Sequence, residues 1–304
     1  MTLSRRTFLA ASAGLAAGAL ARPRSAAAQQ PRSRAKVAPA IVGDEAAPSY
    51  GPLHVGAQSY SFRDFPLERA LKQYQTLGLK YGEFFSKHIP LDSTPAQIEA
   101  AKKLCQEYGV TPVAYGVQAF SRNTDKNRKN FELGKALGIR YLSADPDPDS
   151  FDSLDKLCDE YKIAIGIHPH GPQGRGNNLK MHRWYSAEVI LAAVKDHSPL
   201  IGTCIDTGHI LRCVLLDKKL DPAEQIRMMG KRNFGLHLKD FDDKKKEEVI
   251  VGRGMLDVPG VVKALKDVGF QGYCNLEYEL NPQDPTADMA EGLKALAAAV
   301  QKAG

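Results

Sequence analysis

The stretch IAIGIHPHGP, residues 163–172, carries two histidines at the end of a strand-like alternation of isoleucine with small residues. Alternate side chains of a strand point to the same face, so the three isoleucines share one face. His168 and His170 extend the other face, where the preceding residues are only alanine and glycine. The pattern predicts a strand that is buried on its isoleucine side and presents two imidazoles on a side with free space.

Strand-like stretches of this kind recur eight times after residue 53, and helix-like stretches separate them. The helix-like stretches have apolar residues at three- and four-residue spacing, and several end in glycine, as helix carboxyl termini often do. Eight such units in about 250 residues are typical of an α/β protein with a single (β/α)8 TIM barrel. The alternative, an open doubly wound sheet, would have a glycine-rich phosphate loop after its first strand, where the chain reads QSYSFRDFP. The predicted strands are 54–62, 81–86, 111–118, 140–145, 163–170, 201–208, 233–240 and 272–279.

The first 28 residues resemble a twin-arginine export signal. Arg5 and Arg6 precede an apolar run, and the small residues of SAAAQQ follow as a cleavage region. The apolar run is shorter than the ~20 residues that a membrane-spanning helix needs, which disfavours an uncleaved anchor. We therefore predict a periplasmic or secreted protein without stable membrane insertion. Residues 29–52 are interpreted as a flexible tether and residues 53–304 as the catalytic barrel.

Charge and cysteine content exclude several classes of protein. Removal of residues 1–28, which hold four arginines and no acidic residue, lowers the formal net charge from +6 to +2. So small a charge argues against nucleic acid as a partner. The five cysteines lack CxxC spacing and lie mostly in apolar patterns, so we interpret them as buried side chains without a disulfide framework. The sequence leaves formation of a homo-oligomer open.

Polar side chains gather at the carboxyl ends of the last four predicted strands, where the active site of a TIM barrel lies. Strand alternation turns His168, Asp206, His237 and Glu277 inward, each from a different one of these neighbouring strands. Two imidazoles and two carboxylates suit Mn²⁺, Co²⁺, Zn²⁺ or Fe²⁺, whereas an all-oxygen set would favour Mg²⁺ or Ca²⁺. The pattern predicts a divalent metal ion. The alternative is a set of polar side chains that fill the barrel and bond to one another.

Six motifs resemble those of the xylose-isomerase-like barrels, a family known as sugar phosphate isomerases/epimerases, over essentially all of residues 53–304. They are GAQSYSF, LGLKYGEFF, CIDTGH, GLHLKD, VGRGMLDVPGVVKAL and LEYE. The resemblance implies a metal held by Glu, Asp, His and Glu, and it places the last three on Asp206, His237 and Glu277. His168 occupies the position of the first glutamate.

This substitution affects the chemistry that the resemblance implies. In the family the two glutamates exchange protons with carbon on opposite faces of a ketose. A metal-bound neutral imidazole has no free lone pair with which to accept a proton. Metal binding is compatible with His168, but while it binds metal this histidine cannot act as one of the usual pair of bases.

The predicted activity is removal of a proton next to a carbohydrate carbonyl, with a divalent ion that stabilises the enediolate. Return of the proton gives a sugar isomerase or epimerase. Loss of a β-oxygen instead gives a lyase or dehydratase on 3-keto-glycosides or other keto-sugars. A sugar-binding barrel without turnover is the alternative from another class of protein.

Several further residues are candidates for catalysis or substrate binding. The candidate bases are Glu277, His170, Glu83 and Glu279, and Lys239 could neutralise a developing oxyanion. Glu83 could instead orient a metal-binding histidine, and Lys239 could pair with Glu277 or Glu279.

The expected pocket rim contains other substrate-binding candidates. His209, which contacts substrate in the family by resemblance, and Arg212 follow the sixth strand, and Trp184 lies in a long loop that could cover a sugar. Arg253 in GRGMLD could grip phosphate together with backbone amides. We nevertheless favour an unphosphorylated sugar, because exported enzymes seldom meet phosphosugars.

Overall fold

Eight parallel strands close into a barrel in the computed structural model, which describes residues 49–303. Each strand pairs with its neighbour in the chain, and the last barrel strand pairs with the first to close the ring. In chain order the strands are β1 (His54–Gln58), β2 (Tyr81–Phe84), β3 (Thr111–Phe120), β4 (Tyr141–Pro146), β5 (Ala164–Ile167), β6 (Ile201–Asp206), β7 (Asn233–Leu238), β8 (Asp240–Asp242), β9 (Glu247–Val249) and β10 (Tyr273–Leu276). Strands β8 and β9 form a separate antiparallel hairpin.

Helices lie between the barrel strands and bury their apolar faces against them. They are α1 (Leu67–Thr76), α2 (Pro95–Glu107), α3 (Thr124–Leu137), α4 (Phe151–Tyr161), α5 (Ala187–Val194), α6 (Thr207–Arg212), α7 (Pro222–Met229), α8 (Val258–Asp267) and α9 (Thr286–Ala303). Local sequence sets their ends: Thr94 and Gln97 form a capping box at the start of α2. Gly138 ends α3 in the left-handed conformation that glycine adopts without strain. The predicted (β/α)8 TIM barrel is confirmed.

Several predicted strands extend too far at their carboxyl ends. The first was predicted to reach residue 62, but β1 ends at Gln58 and a 3₁₀ helix, Ser59–Phe62, follows. The fifth was predicted to reach residue 170, but β5 ends at Ile167. Pro169 has no amide hydrogen to donate to a strand ladder, and the next amide, that of His170, donates to a loop carbonyl. The polar side chains therefore lie at or just beyond the strand ends.

The barrel interior is layered. At the amino-terminal end of the strands, the rings of His54, Tyr81 and Tyr273 pack with centroids 5.2–5.4 Å apart. We call these three rings the barrel floor. Buried polar side chains occupy the interior toward the other end, whereas the space between strands and helices is apolar. All five cysteines are buried and free, as the sequence indicated.

The predicted export signal lies outside the described residues, as does most of the predicted tether. The limits of these segments, and export itself, stay predictions. Within residues 49–303 there is no helix of sufficient length and apolarity to cross a membrane.

Candidate metal centre and substrate cavity

Four side chains meet at the carboxyl-terminal end of the barrel: His168, Asp206, His237 and Glu277, here called the four-ligand cluster. Each offers one donor atom, and these atoms all lie within 4.8 Å of one another. His168 Nε2 is 2.9 Å from His237 Nδ1 and 3.3 Å from Asp206 Oδ2. His237 Nδ1 is 3.2 Å from Glu277 Oε2. Alternation along four neighbouring strands thus brings together the residues that it had turned inward.

The cluster is buried and incompletely hydrogen-bonded. All four residues are buried, and Asp206 and His237 are fully so. Asp206 Oδ2 and His168 Nδ1 have no hydrogen-bond partner, although a buried carboxylate oxygen without one is costly. The cluster offers two nitrogen and two oxygen donor atoms, and one of the oxygens, Asp206 Oδ2, is unsatisfied. Such a set matches the ligand preferences of Zn²⁺ and similar divalent ions. The residues present therefore fit a divalent metal ion.

Glu83 lies beneath the cluster and bonds to His237 on the ring edge opposite the other three cluster residues. The distance from His237 Nε2 to Glu83 Oε2 is 2.9 Å, so Nδ1 is the ring nitrogen that faces the cluster. Burial alone would raise the pKa of Glu83, but the positive charge and hydrogen bond of His237 lower it below its ordinary value. Glu83 is fully buried and does not line the cavity described below. Its position suits the orienting role, which was the alternative to a base.

The sequence analysis missed most of the groups that hold Glu83 in place. Its carboxylate accepts hydrogen bonds from Gln58 Nε2 at 2.9 Å, Tyr141 Oη at 3.0 Å and Asn275 Nδ2 at 3.1 Å, and also from Ser143. Strand alternation could have identified them, because each lies in phase with an inward-facing residue. Together they fix the carboxylate under His237.

Lys239 lies above the cluster, among carboxylates. Its Nζ is 3.3 Å from Glu277 Oε2, contacts Glu279 and is 3.9 Å from Glu248 Oε2. Burial alone would lower the pKa of Lys239, but the surrounding carboxylates, led by Glu277, raise it well above its ordinary value. Lys239 is thus a buried cation. The sequence analysis missed Glu248, because the hairpin that returns it to the barrel gives no local signal.

A cavity of about 410 Å³, here called the substrate cavity, opens in front of the cluster. One part of its lining carries aromatic and aliphatic side chains: Tyr60 and Phe85, which follow β1 and β2, and Val117 of β3. The rest of the lining is largely polar. The candidate residues in this polar part are His168, His170, His209, Arg212, Glu277 and Glu279. A lining of both kinds suits a sugar ring, which has apolar C–H faces and polar edges.

Two further histidines continue the imidazole cluster into the cavity. The ring of His170 lies 4.7 Å from that of His168 and 5.0 Å from that of His209, centroid to centroid. Burial, followed by the nearby His168, lowers the pKa of His170 to about 3. Burial also lowers the pKa of His209, whose backbone amide donates to Asp206 Oδ1 at 2.7 Å. Both imidazoles are neutral at ordinary pH and can accept or donate hydrogen bonds to a ligand.

Trp184 does not line the substrate cavity, contrary to expectation. Its side chain is buried, its ring packs against Phe151, and its Nε1 donates to the carbonyl of Pro146 at 2.8 Å. An indole needs a hydrogen-bond partner when it is buried, and the end of β4 supplies one. The residue anchors the long loop after β5 to β4 and is not positioned to stack on a sugar.

Arg253 also lies away from the cavity. The backbone amides that were expected to bind phosphate already donate hydrogen bonds within the chain. Its guanidinium is exposed and pairs with Glu291 at 2.5 and 2.6 Å. The buried carboxylate of Asp240 accepts hydrogen bonds from the backbone amides of Gly252 and Gly254 at 3.0 and 2.9 Å, and also from two other amides. The loop recognises an anion, but that anion is part of the chain.

Comparison with known proteins agrees with this architecture. Residues 71–299 match the family model described as a xylose isomerase-like TIM barrel. No curated protein matches the chain in sequence. Among solved structures, an uncharacterised protein from Parabacteroides distasonis is 25% identical with a TM-score of 0.62, covering 84% of this chain and 100% of its own.

Two other solved structures are named for reactions on sugars. A D-tagatose 3-epimerase-like protein is 17% identical with a TM-score of 0.65, covering 83% of this chain and 98% of its own. A 3-keto-D-glucoside 4-epimerase from E. coli is 14% identical with a TM-score of 0.62, covering 81% and 99%. At this identity the likeness is one of fold. The family match spans most of the chain, which therefore belongs to the xylose isomerase-like TIM barrel family.

Proposed function

We propose that the protein is a divalent-metal-dependent enzyme of the sugar isomerase/epimerase type, which removes a proton next to a carbohydrate carbonyl. The observation that carries the proposal is the four-ligand cluster, whose donor atoms lie within 4.8 Å of one another at the base of the substrate cavity. Family membership and the sugar epimerases among the structural neighbours support the same class of reaction. Mn²⁺, Co²⁺, Zn²⁺ or Fe²⁺ are the ions that the donor set favours.

His168, Asp206, His237 and Glu277 would hold the ion. When bound, the ion supplies a positive charge that stabilises negative charge developing on neighbouring sugar oxygens. Glu83 keeps the proton of His237 on Nε2 and so leaves Nδ1 available as a ligand. Carboxylate partners of this kind orient a ligating histidine and strengthen its donor character.

Glu277 is the candidate base for the carbon-bound proton. It lines the cavity, in contrast to Asp206 and Glu83. Burial alone would raise its pKa, but Lys239 and His237 lower it below its ordinary value, so the carboxylate is ionised. Lys239 Nζ, 3.3 Å from Glu277 Oε2, holds that carboxylate in place. His170 and His209 are positioned to bond to sugar hydroxyls.

A lyase acting on 3-keto-glycosides is the second candidate. Epimerisation needs a second proton-transfer group on the opposite face of the sugar, where the family resemblance implies a glutamate. His168 occupies that position and points its Nε2 at Asp206 and His237. Elimination needs only one base at the carbon, together with help for the leaving oxygen, so the substitution at His168 favours it.

The test combines metal analysis with NMR in D₂O. We expect about one transition ion per chain, loss of activity on chelation, and recovery when the ion is restored. Incubated with 3-keto-glucosides, an isomerase or epimerase incorporates deuterium into an intact sugar, whereas a lyase releases the aglycone. Glu277→Gln removes the base and a ligand, and we expect turnover to fall by at least ~10³-fold.

Glu132→Gln is the matched control, because this glutamate is exposed on α3 away from the cavity. It should behave as the wild type in both measurements. Protein that contains no metal and turns over keto-sugars equally with and without chelator would contradict the proposal. Binding of sugars without deuterium uptake or product would instead identify a sugar-binding barrel.

A further inference from the structure

A second, smaller cavity of about 230 Å³ adjoins the substrate cavity. The two cavities share three lining residues, His209, Arg212 and Glu279, so they are neighbouring parts of one cleft. The smaller cavity extends away from the four-ligand cluster, between α6 and the β8–β9 hairpin. We call it the hairpin lobe.

The hairpin is fixed to the rim of the barrel. Its strands pair antiparallel, with Phe241 opposite Glu248. Glu248 Oε1 accepts a hydrogen bond from the backbone amide of Glu279 at 2.9 Å, and its other carboxylate oxygen lies 3.9 Å from Lys239 Nζ. Glu248 is therefore tied both to the segment after β10 and to the lysine that holds Glu277. The hairpin forms a defined wall of the cleft.

The charges that line the hairpin lobe balance. Three cationic side chains are present, those of Arg212, Lys239 and Lys246, and four carboxylates, those of Asp240, Glu247, Glu248 and Glu279. The carboxylate of Asp240 is taken up by four backbone amides, which leaves three carboxylates to balance the three cations. An anion such as a phosphate would meet the carboxylates, and a cation would meet the other three groups. A hydroxyl group both donates and accepts hydrogen bonds, so it can pair with either kind. The lining suits an uncharged, hydroxyl-rich ligand.

The dimensions of the cleft exceed those of one sugar ring. A hexose has roughly twelve non-hydrogen atoms, and about 30 Å³ of liquid volume for each water-sized group gives an upper limit of about 360 Å³. The substrate cavity, at about 410 Å³, can hold one such ring beside the four-ligand cluster. The hairpin lobe is then left for a second group attached to it.

We propose that the hairpin lobe is a subsite for a second, uncharged sugar ring, and that the substrate is therefore a two-ring glycoside. This inference rests on the proposed function, since it assumes that the reacting ring lies beside the four-ligand cluster. The second ring contacts Glu247 and Lys246 of the hairpin and Arg212 of α6. Binding energy from this ring positions the reacting ring without taking part in the chemistry.

Calorimetric titration of metal-loaded protein with methyl glucoside and with the glucose disaccharide maltose or cellobiose tests the subsite without requiring turnover. We expect at least one disaccharide to bind about tenfold or more tightly than methyl glucoside. Glu247→Trp places a bulky ring in the hairpin lobe and should abolish this preference while leaving methyl glucoside binding within about twofold. Asp243→Trp, on the exposed hairpin turn outside the lobe lining, is the matched control and should keep the preference.

The two proposals fail separately. Disaccharides that bind no more tightly than methyl glucoside, or a preference that survives Glu247→Trp, would overturn the second subsite. The deuterium experiment on single-ring 3-keto-glucosides tests the proposed function independently of that result. Thermal melting of both tryptophan variants verifies that each is folded, which the exposure of positions 243 and 247 leads us to expect.

Discussion

The two ends of the barrel interior are built from the same strands but differ in chemistry. On β2, Tyr81 belongs to the barrel floor, and Glu83, two residues further on, accepts hydrogen bonds in the middle of the barrel. On β10, Tyr273 belongs to the floor, Asn275 bonds to Glu83, and Glu277 joins the four-ligand cluster. The same alternation turns all of these side chains into the barrel. Those at one end are aromatic rings, and those at the other are ionisable groups.

The difference separates stability from chemistry. Rings of the floor pack against one another and bury apolar area, which stabilises the fold. The other end holds imidazoles and carboxylates, and buried polar atoms of His168, His170 and Asp206 lack hydrogen-bond partners, an arrangement that costs stability unless a ligand satisfies them. Variants at the floor should therefore alter folding alone, whereas variants at the other end should alter metal binding.

Replacement of Glu83 by glutamine should have the largest effect. The amide keeps the size of the side chain but removes its negative charge. The carboxylate that is lost pairs with His237 and accepts four further hydrogen bonds. We expect metal affinity to fall 10- to 100-fold and the free energy of unfolding of the metal-free protein to fall by about 3–5 kcal/mol. Competition with a chromophoric chelator and urea denaturation measure the two quantities. Unchanged metal affinity would remove Glu83 from the site.

Truncation of the floor should lower stability alone. Tyr273→Ala deletes a ring that packs on His54 and Tyr81 and should reduce the free energy of unfolding by about 2–4 kcal/mol. Metal stoichiometry and affinity should stay within twofold of wild type, because the four-ligand cluster is at the other end of the strands. Tyr273→Phe keeps the ring and serves as the control. A loss of metal in Tyr273→Ala would show that the two ends are coupled.

Glu248 gives the smallest effect, and it depends on pH. Burial raises the pKa of Glu248 to about 7, from an ordinary value of 4.5. Between these values the folded protein binds more protons than the unfolded chain, so this group lowers stability progressively as pH rises from about 4.5 to above 7. Glu248→Gln removes the charge and should increase the free energy of unfolding at pH 8, relative to wild type, by about 1–3 kcal/mol more than at pH 5.

Denaturation of wild type and variant at the two pH values measures this difference in metal-free protein. Glu247→Gln is the matched control, because its side chain is exposed on the same strand. Equal effects of Glu248→Gln at pH 5 and pH 8 would mean that Glu248 titrates near its ordinary pKa.

Patterns with a two-residue period carried most of the sequence prediction. They gave the eight strands and the inward direction of His168, Asp206, His237 and Glu277, because burial on alternate faces leaves a direct record in the order of residues. The long loop after β5 and the β8–β9 hairpin have no such period. Trp184 was therefore expected in the cavity, although it is buried against Phe151, and Glu248 was overlooked. Contacts between segments distant in sequence decide both positions.

Asp240 has a consequence for which ligands the protein can accept. Its carboxylate already occupies the backbone amides around Gly252 and Gly254, and it is attached to the chain a dozen residues away. A tethered group of this kind has a far higher effective concentration than any free solute. A phosphate ester would have to displace it and leave a buried carboxylate unpaired. The Asp240 carboxylate thus competes with the phosphate group of any ligand for the amides of this loop, at every ligand concentration in solution.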